Sequence, residues 1–422
     1  MRHTTKYAEL VEKAKKSRSE HLTVALESAV FDSLSNHEST VIIAKELDSI
    51  NKHITVDSKD IDDAASDYEK IAECLIEKLN WPEESIRIFP QGSSSTQTLI
   101  NSPDASKFDI DAVCAVNISL IDAEDPMAFY DEIGRAISEW EPKAKKRCWT
   151  IEFSGRRYYV EFTPSVPLDM VPPEITNIIR YSPTKRYREK ALAVVNTPTE
   201  SWKTSNPEGF TDWVSEQAER VILTPLIAKN IANESASYDS IDSVPDQEIP
   251  LSDTLRIAIR LSKRHRDMAV HRGYLEKEFK PISVIIVTLL TQCYEGLADQ
   301  GSCYSSPVDL LLDLVQLMPG MIESRNGEYW IENPTVENEN FAEKWNEKEK
   351  LREAFFEWCK ILVSDLKEIL ESSDEKLLRE KLKKVFGCTG AVTTNSPLAP
   401  GEGLTNNKPS RVHNIPATTG LA

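Results

Sequence analysis

Two short stretches of the chain could do chemistry together: Gln91-Gly92-Ser93-Ser94-Ser95 and Phe108-Asp109-Ile110-Asp111. A Gly-Ser turn at a helix start offers backbone N–H groups and a hydroxyl to a phosphate. Alone, such a turn is weak evidence and reads first as an ordinary helix cap. Asp109 and Asp111 supply the context. On a strand, residues i and i+2 share a face, so both carboxylates point one way while Phe108 and Ile110 face the core. Two acids held together repel by on the order of a kcal/mol or more. A divalent metal relieves that repulsion, and hard carboxylate oxygens suit Mg2+. The plainer alternative is a pair of solvated acids at a strand end. A third carboxylate should then sit on a neighbouring strand. Glu161 in Tyr158-Tyr159-Val160-Glu161-Phe162-Thr163-Pro164 is the candidate, because Tyr159, Glu161 and Thr163 share one face and Val160 and Phe162 the other. Glutamate has low β-propensity, so it marks either a half-exposed strand or a ligand. Asp169 is the alternative third acid, but it follows Pro164-Ser165-Val166-Pro167 and reads as loop. Three carboxylates beside a phosphate-cradling turn fit two-metal phosphoryl or nucleotidyl transfer, with ions about 3.5–4 Å apart. The protein then chiefly positions reactants and offsets charge.

The elements that must hold these residues can be read from periodicity. Apolar spacing predicts helix over residues 5–50. A second helix starts near Asp57, capped by Asp57 or Ser58, and runs to Leu79, where Trp81-Pro82 stops it. Strands are expected at 85–90 and 108–116, with the Gly-Ser turn opening into a helix between them. A helix follows at 125–137, then a β-hairpin at 148–164 turning at Ser154-Gly155. This order predicts an α+β catalytic domain over 56–200, with a mixed sheet. From about residue 200 strands largely vanish. Helices are expected from Glu208 to about Ala232, around 252–272 and 282–297, and over 347–387, forming a buried bundle. The expected organisation is N-terminal helices packing on the core (1–55), the catalytic domain (56–200), a helical domain (201–387) and a flexible tail (388–422) rich in Thr, Asn, Pro and Gly. The polar stretch 226–252 reads as a loop.

Composition narrows the function. Lys and Arg number 50 against 68 Asp and Glu, a net charge of −18. That argues against a protein whose whole surface grips nucleic acid, and leaves room for a local basic patch. Lys143-Ala144-Lys145-Lys146-Arg147 and Arg156-Arg157 are the densest basic spots of the first half, and both read as solvated hairpin rims. No apolar run approaches the ~20 residues of a membrane span. The first twenty residues lack the apolar region of a signal peptide. Seven scattered cysteines without a Cys/His cluster suggest a reduced, cytoplasmic protein without zinc.

The Gly-Ser turn, the Asp109-Ile110-Asp111 pair and a later acid, in this element order, resemble the DNA-polymerase-β-type nucleotidyltransferase superfamily. Within it the chain resembles the bacterial cGAS/DncV-like nucleotidyltransferases (CD-NTases) of CBASS anti-phage systems. Three further stretches carry the narrower likeness: Trp202 to Trp213, Lys263-Arg264-His265-Arg266-Asp267 with Pro281-Ile282-Ser283, and Asn333-Pro334 with Glu339-Asn340-Phe341. The likeness spans roughly residues 55–390. Glu161 stands where the family often has Asp, and the Ser93-to-Asp109 gap is longer than in compact members.

The resemblance implies a bilobed enzyme, a polymerase-β-like sheet lobe and an oligoadenylate-synthase-like helical lobe around a central cleft. It implies joining of NTPs, ATP among them, into a cyclic di- or trinucleotide messenger for an effector. Residue by residue, Gln91, Gly92 and Ser93 would hold the donor triphosphate. Asp109, Asp111 and Glu161 would bind two Mg2+, with Mn2+ as a substitute. Lys263 or Arg266 would reach phosphates from the helical lobe, or else the KRHRD segment is simply a polar helix face, the role also expected for His265. Ser205 and Asn206 either cap the helix near Pro207 or touch a base. In some relatives a ubiquitin-activating-like ligase conjugates the synthase, and Ala422 is the expected attachment point here. Two alternatives remain at this stage: a transferase acting on an RNA, protein or small-molecule acceptor, and a nucleotide-binding pseudoenzyme.

Overall fold

The computed structural model describes residues 35–104, 106–117, 119, 121–176, 179, 181–220, 222, 244–250, 252–302, 304, 307–372 and 374–388. The helix expected over 5–34, the helical continuation past residue 220, most of the 226–252 loop and the tail from 389, Ala422 included, lie outside the described residues.

Helix α1 (Ser35–Ile54) leads into α2 (Ser58–Leu79). Of the two candidate caps, Asp57 is the one used: its carboxylate accepts from the Lys59 N–H at 2.9 Å. Asn80, in the left-handed region (φ 53°), closes the helix before Trp81-Pro82. Strand β1 (Ile86–Gln91) follows, then a single helical turn, α3 (Gly92–Ser95). The expected helix after the Gly-Ser turn is no longer than this, because Ser94 and Thr96 turn their hydroxyls back onto the Gln91 and Gly92 carbonyls. Such side chains compete with helix propagation. Strand β2 (Phe108–Val116) and helix α4 (Pro126–Ala136), capped by Asp125, come next. Short β3 (Lys143–Ala144) pairs with β4 (Trp149–Ile151), which forms the expected hairpin with β5 (Tyr158–Pro167). Short α5 (Pro173–Thr176), β6 (Ser182–Pro183), β7 (Leu192–Asn196) and β8 (Ser201–Ser205) complete this half.

Seven strands make one mixed sheet in the order β1-β2-β5-β4-β3, with β7 joining β5 and β8 joining β7. Only β2 and β5 pair in parallel; the other neighbours are antiparallel. Phe108, Ile110, Ala112 and Cys114 of β2 and Tyr158, Val160 and Phe162 of β5 are buried in one core with residues of α2 and α4. The alternation fixes which face is which. A slip of one residue would drive Asp109 and Asp111 into that core and expose every apolar neighbour.

The remaining described helices are α6 (Pro207–Ala218), α7 (Thr254–His271), α8 (Ser283–Asp299), α9 (Pro307–Leu317), α10 (Glu343–Glu347), α11 (Glu349–Leu370) and α12 (Glu375–Phe386). They share a second core, to which α1 contributes Ile43, Leu47, Ile50 and Ile54. Strands do not stop at 200. Beyond β8, two small pairings join Glu323–Arg325 to Glu328–Trp330, and Val336–Glu337 to β6. Among the described residues no helix is long and apolar enough to cross a membrane.

Of the Arg156-Arg157 pair, Arg157 is exposed as a rim residue should be, but Arg156 is not. Arg156 forks onto Asp67 of α2, Nε to Oδ2 at 2.9 Å and Nη2 to Oδ1 at 3.1 Å, and meets Asp63 at 2.6 Å. Arg157 reaches Asp60 at 3.2 Å. The Asp67 side chain is fully buried, and Lys70 and the Tyr158 hydroxyl also donate to it. Burial alone would raise its carboxyl, but hydrogen bonds from Arg156, Lys70 and Tyr158 hold it below its ordinary value. Replacing Arg156 by Met strips the strongest donor from a buried anion. The expected result is a loss of about 3 kcal/mol of stability, measurable by urea unfolding at pH 7.

Candidate active site

The register of the sheet lines up the expected residues. Gln91 lies opposite Asp111, Asp111 opposite Glu161, and Glu161 opposite Thr150, a row crossing four strands. Asp109 lies one pleat earlier, opposite Tyr159. All face away from the sheet-lobe core. Asp169 sits beyond the end of β5, exposed in a 3-10 turn, and takes no part.

Gly92 explains itself here. Its φ is +64°, the region that favours glycine. A Cβ added to it would lie 2.4 Å from Asp111 Oδ2. Only a residue without a side chain lets the turn approach the carboxylate this closely. Within the serine run, Ser94 donates to the Gln91 carbonyl at 2.8 Å and Ser95 pairs with Thr211 at 2.8 Å. Ser93, half-buried at the cleft, is the one whose hydroxyl has no partner among the described residues. Gln91 is tied down by a bond from Nε2 to Thr163 Oγ1 at 3.2 Å.

The carboxylates crowd one another. Burial, then repulsion from Asp109 and Glu161, pushes the Asp111 carboxyl well above the usual range, while Lys263 and Lys145 pull the other way. Such an acid ionises only if positive charge joins it. The donor set is all oxygen, which suits a hard divalent cation. Asp109 and Asp111 both line the cleft. Glu161 lies beside them, but its carboxylate is turned to the Lys145 ammonium, and Cys148 Sγ approaches its other oxygen at 3.7 Å. Accordingly, among the described residues no three His, Cys, Asp or Glu side chains converge as a ready ligand shell. The residues fit such a cation in kind, with Glu161 on the strand beside Asp111 and its carboxylate held by Lys145. Lys145 belongs to the basic run read above as a solvated rim. It bears on the acids, and Arg147 of the same run lines the cleft.

The cleft has a volume of about 580 Å³. One wall is Gln91, Gly92, Ser93, Asp109, Asp111 and Tyr159. The facing wall comes from the three stretches that carried the narrower resemblance. The first gives Ser205, Asn206 and Phe210, the second Lys263, Arg266 and Ser283, and the third Asn333, Glu339 and Phe341. Asn206 is the cap of α6, accepting from the Gly209 N–H at 3.0 Å. Ser205, at the end of β8, is half-buried at the cleft.

The KRHRD segment is not a polar helix face. Lys263 is 4% exposed and donates to the Thr98 carbonyl at 2.7 Å. Burial, then the nearby Arg266 charge, pushes its ammonium down to about 7. Arg266 donates to the Pro281 carbonyl and Ser283 Oγ, each at 3.0 Å, and pairs with Asp267. One turn earlier on α7, Arg260 holds the Gln247 carbonyl and Thr55; Arg256 holds the Thr96 carbonyl and Arg264 that of Asn101. Helix α7 therefore grips by its carbonyls the segment that joins the Gly-Ser turn to β2. His265 is fully buried, contrary to expectation. Trp358 Nε1 donates to its Nδ1 at 3.0 Å, leaving Nε2–H to face Asp365 at 3.0 Å. It knits α7 to α11, away from the cleft.

A mixed sheet with a Gly-Ser turn against a paired-carboxylate strand, facing a helical wall across a cleft, defines a polymerase-β-like nucleotidyltransferase. Comparison with known proteins agrees. Residues 42–218 match the family described as Second Messenger Oligonucleotide or Dinucleotide Synthetase domain. A c-di-GMP synthase from Roseivirga ehrenbergii is 26% identical over 312 residues, 72% of each chain. Among solved structures, CdnG of Bradyrhizobium diazoefficiens in complex with GTP aligns with TM-score 0.51 at 16% identity, over 83% of this chain and 95% of that one. CdnC of E. coli MS115-1 with ATP aligns with TM-score 0.52 at 14% identity, over 81% and 98%. The chain is similar to the bacterial cGAS/DncV-like nucleotidyltransferases, enzymes that make cyclic oligonucleotides.

Proposed function

We propose that this chain joins two or three NTPs and closes them into a cyclic messenger that activates an effector in anti-phage defence. The observation that supports it best is the Gln91–Asp111–Glu161 row, with Gly92 pressed against Asp111 at the edge of a cleft with cationic side chains in its far wall. The c-di-GMP made by the Roseivirga relative makes GTP the first substrate to try, beside the ATP suggested by the sequence.

Each residue has a proposed task. The Gly92 backbone and the Ser93 hydroxyl hold the donor triphosphate, with Gln91 fixing the turn. Asp109, Asp111 and Glu161 hold the divalent cations, Mg2+ or Mn2+, which when bound neutralise triphosphate charge and acidify the attacking hydroxyl. Arg266 offers positive charge from the opposite wall. Lys263 does the same and also fixes the turn through Thr98. Ser205 contacts a nucleotide from the end of β8. Closure of the cleft aligns the attacking hydroxyl with the α-phosphate and excludes water, so that the chain contributes mainly orientation and electrostatics.

An acceptor-free reaction separates this reading from transfer to RNA, protein or a small molecule. Radiolabelled GTP or ATP with Mg2+, and no acceptor present, should yield a phosphatase-resistant spot on thin-layer chromatography. Label incorporation that appears only after adding an RNA or protein acceptor would overturn the reading.

A further inference from the structure

The contact between Lys145 and Glu161 has a functional consequence. The Lys145 backbone is pinned: its N–H bonds the Cys148 carbonyl at 2.9 Å, and its carbonyl accepts from the Tyr130 hydroxyl at 2.9 Å. The side chain is not pinned in the same way. It is 39% exposed, lies over the Tyr159 ring at 5.6 Å and ends on Glu161 Oε1, whose own side chain is 22% exposed. The ammonium therefore stands on the last of the three acids, beside the Asp111 it also attracts. A carboxylate oxygen facing an ammonium has its charge partly matched, and a second cation approaching it meets like-charge repulsion.

We propose that Lys145 is an internal counter-ion that competes with the divalent cation for Glu161 and sets the cation concentration at which the site fills. The inference rests on reading Asp109, Asp111 and Glu161 as the cation site. In the nucleotide-free protein Lys145 holds Glu161 to the side and damps the repulsion among the three acids. When Glu161 rotates towards Asp111, the ammonium swings on its four-carbon stem over Tyr159 into the cleft. Lys145 is thus a positioning residue, acting on the cation through Glu161.

The test is direct binding of Mn2+ to the nucleotide-free, full-length protein, followed by electron paramagnetic resonance of free Mn2+. Lys145→Met should tighten Mn2+ binding roughly three- to tenfold, and Lys145→Arg should leave it near wild type. In a Glu161→Gln background, Lys145→Met should change Mn2+ affinity much less, because the shared carboxylate is gone. Circular dichroism confirms folding of each variant. Unchanged or weaker binding in Lys145→Met overturns the proposal, as does an equal gain with and without Glu161. If Asp109→Ala/Asp111→Ala binds Mn2+ as wild type does, the cation-site reading fails and takes the proposal with it. If that variant loses binding while Lys145→Met is unchanged, the cation site stands and only the role of Lys145 falls.

Discussion

Asp111→Asn should lower cyclic-nucleotide synthesis roughly 1,000-fold, on the order of 4 kcal/mol in the barrier, while leaving the protein at least as stable as wild type. The two halves of this expectation come from one observation. Burial and two neighbouring acids push the Asp111 carboxyl well above its usual range. A group whose pKa is raised by folding is a carboxylate the folded protein resists, so ionised Asp111 destabilises the fold at neutral pH. Asn has nearly the same shape, lacks the charge, and removes the repulsion. It also removes a charged oxygen ligand that a neutral amide oxygen replaces poorly. Steady-state rates with GTP and ATP, set beside thermal unfolding of the same samples, give both readouts. Activity within tenfold of wild type would contradict the proposed role. A fall in Tm of several degrees would instead make Asp111 a structural residue.

Gly92→Ala is the second large effect. The added methyl would stand 2.4 Å from Asp111 Oδ2 and 3.3 Å from its Cγ. Atoms cannot approach so closely, so the turn or the carboxylate must move. The positive φ adds about 1 kcal/mol of strain for any residue with a Cβ. Displacement of reacting groups by about 1 Å is enough to reduce rates on the order of 100-fold, and that is the expected loss in kcat. Gly155 provides the control. It has φ +78° at the hairpin turn, and nothing lies within 4 Å of its built Cβ. Gly155→Ala should therefore show the strain without the clash, a small stability loss and near-normal activity. If the two alanine variants lose activity equally, close approach to Asp111 is not what Gly92 is for.

The parts legible in the sequence were the ones written in local pattern. Phe108–Asp111 alternates apolar and polar with period two before an apolar run to Val116, and the strand occupies those residues, carboxylates outward. Caps were similarly readable: Asp57 and Asn206 each accept from a backbone N–H two or three residues on. What escaped were contacts between residues far apart in the chain. Lys263 meets Thr98, Arg156 meets Asp67, and His265 sits between Trp358 and Asp365. Each cation or imidazole looks like a solvated polar residue until a distant carbonyl or carboxylate is brought to it. Periodicity counts such residues as surface because it scores side chains, not partners. The basic run at 143–147 was conspicuous for its density, yet its bearing on Glu161 depends on the β3–β4–β5 register. The three stretches behind the narrower resemblance meet in the cleft wall, which separate inspection of each could not show.

The central claim is that this chain makes a cyclic oligonucleotide from NTPs alone. The most direct measurement is mass spectrometry of the phosphatase-treated products after incubation with all four NTPs and Mg2+, with Asp109→Ala/Asp111→Ala in parallel. The account predicts a phosphatase-resistant product whose mass equals two or three nucleoside monophosphates less two or three waters, absent from the variant. Products that phosphatase trims only to linear oligonucleoside phosphates or to nucleosides, or the same cyclic product from the variant, would contradict it.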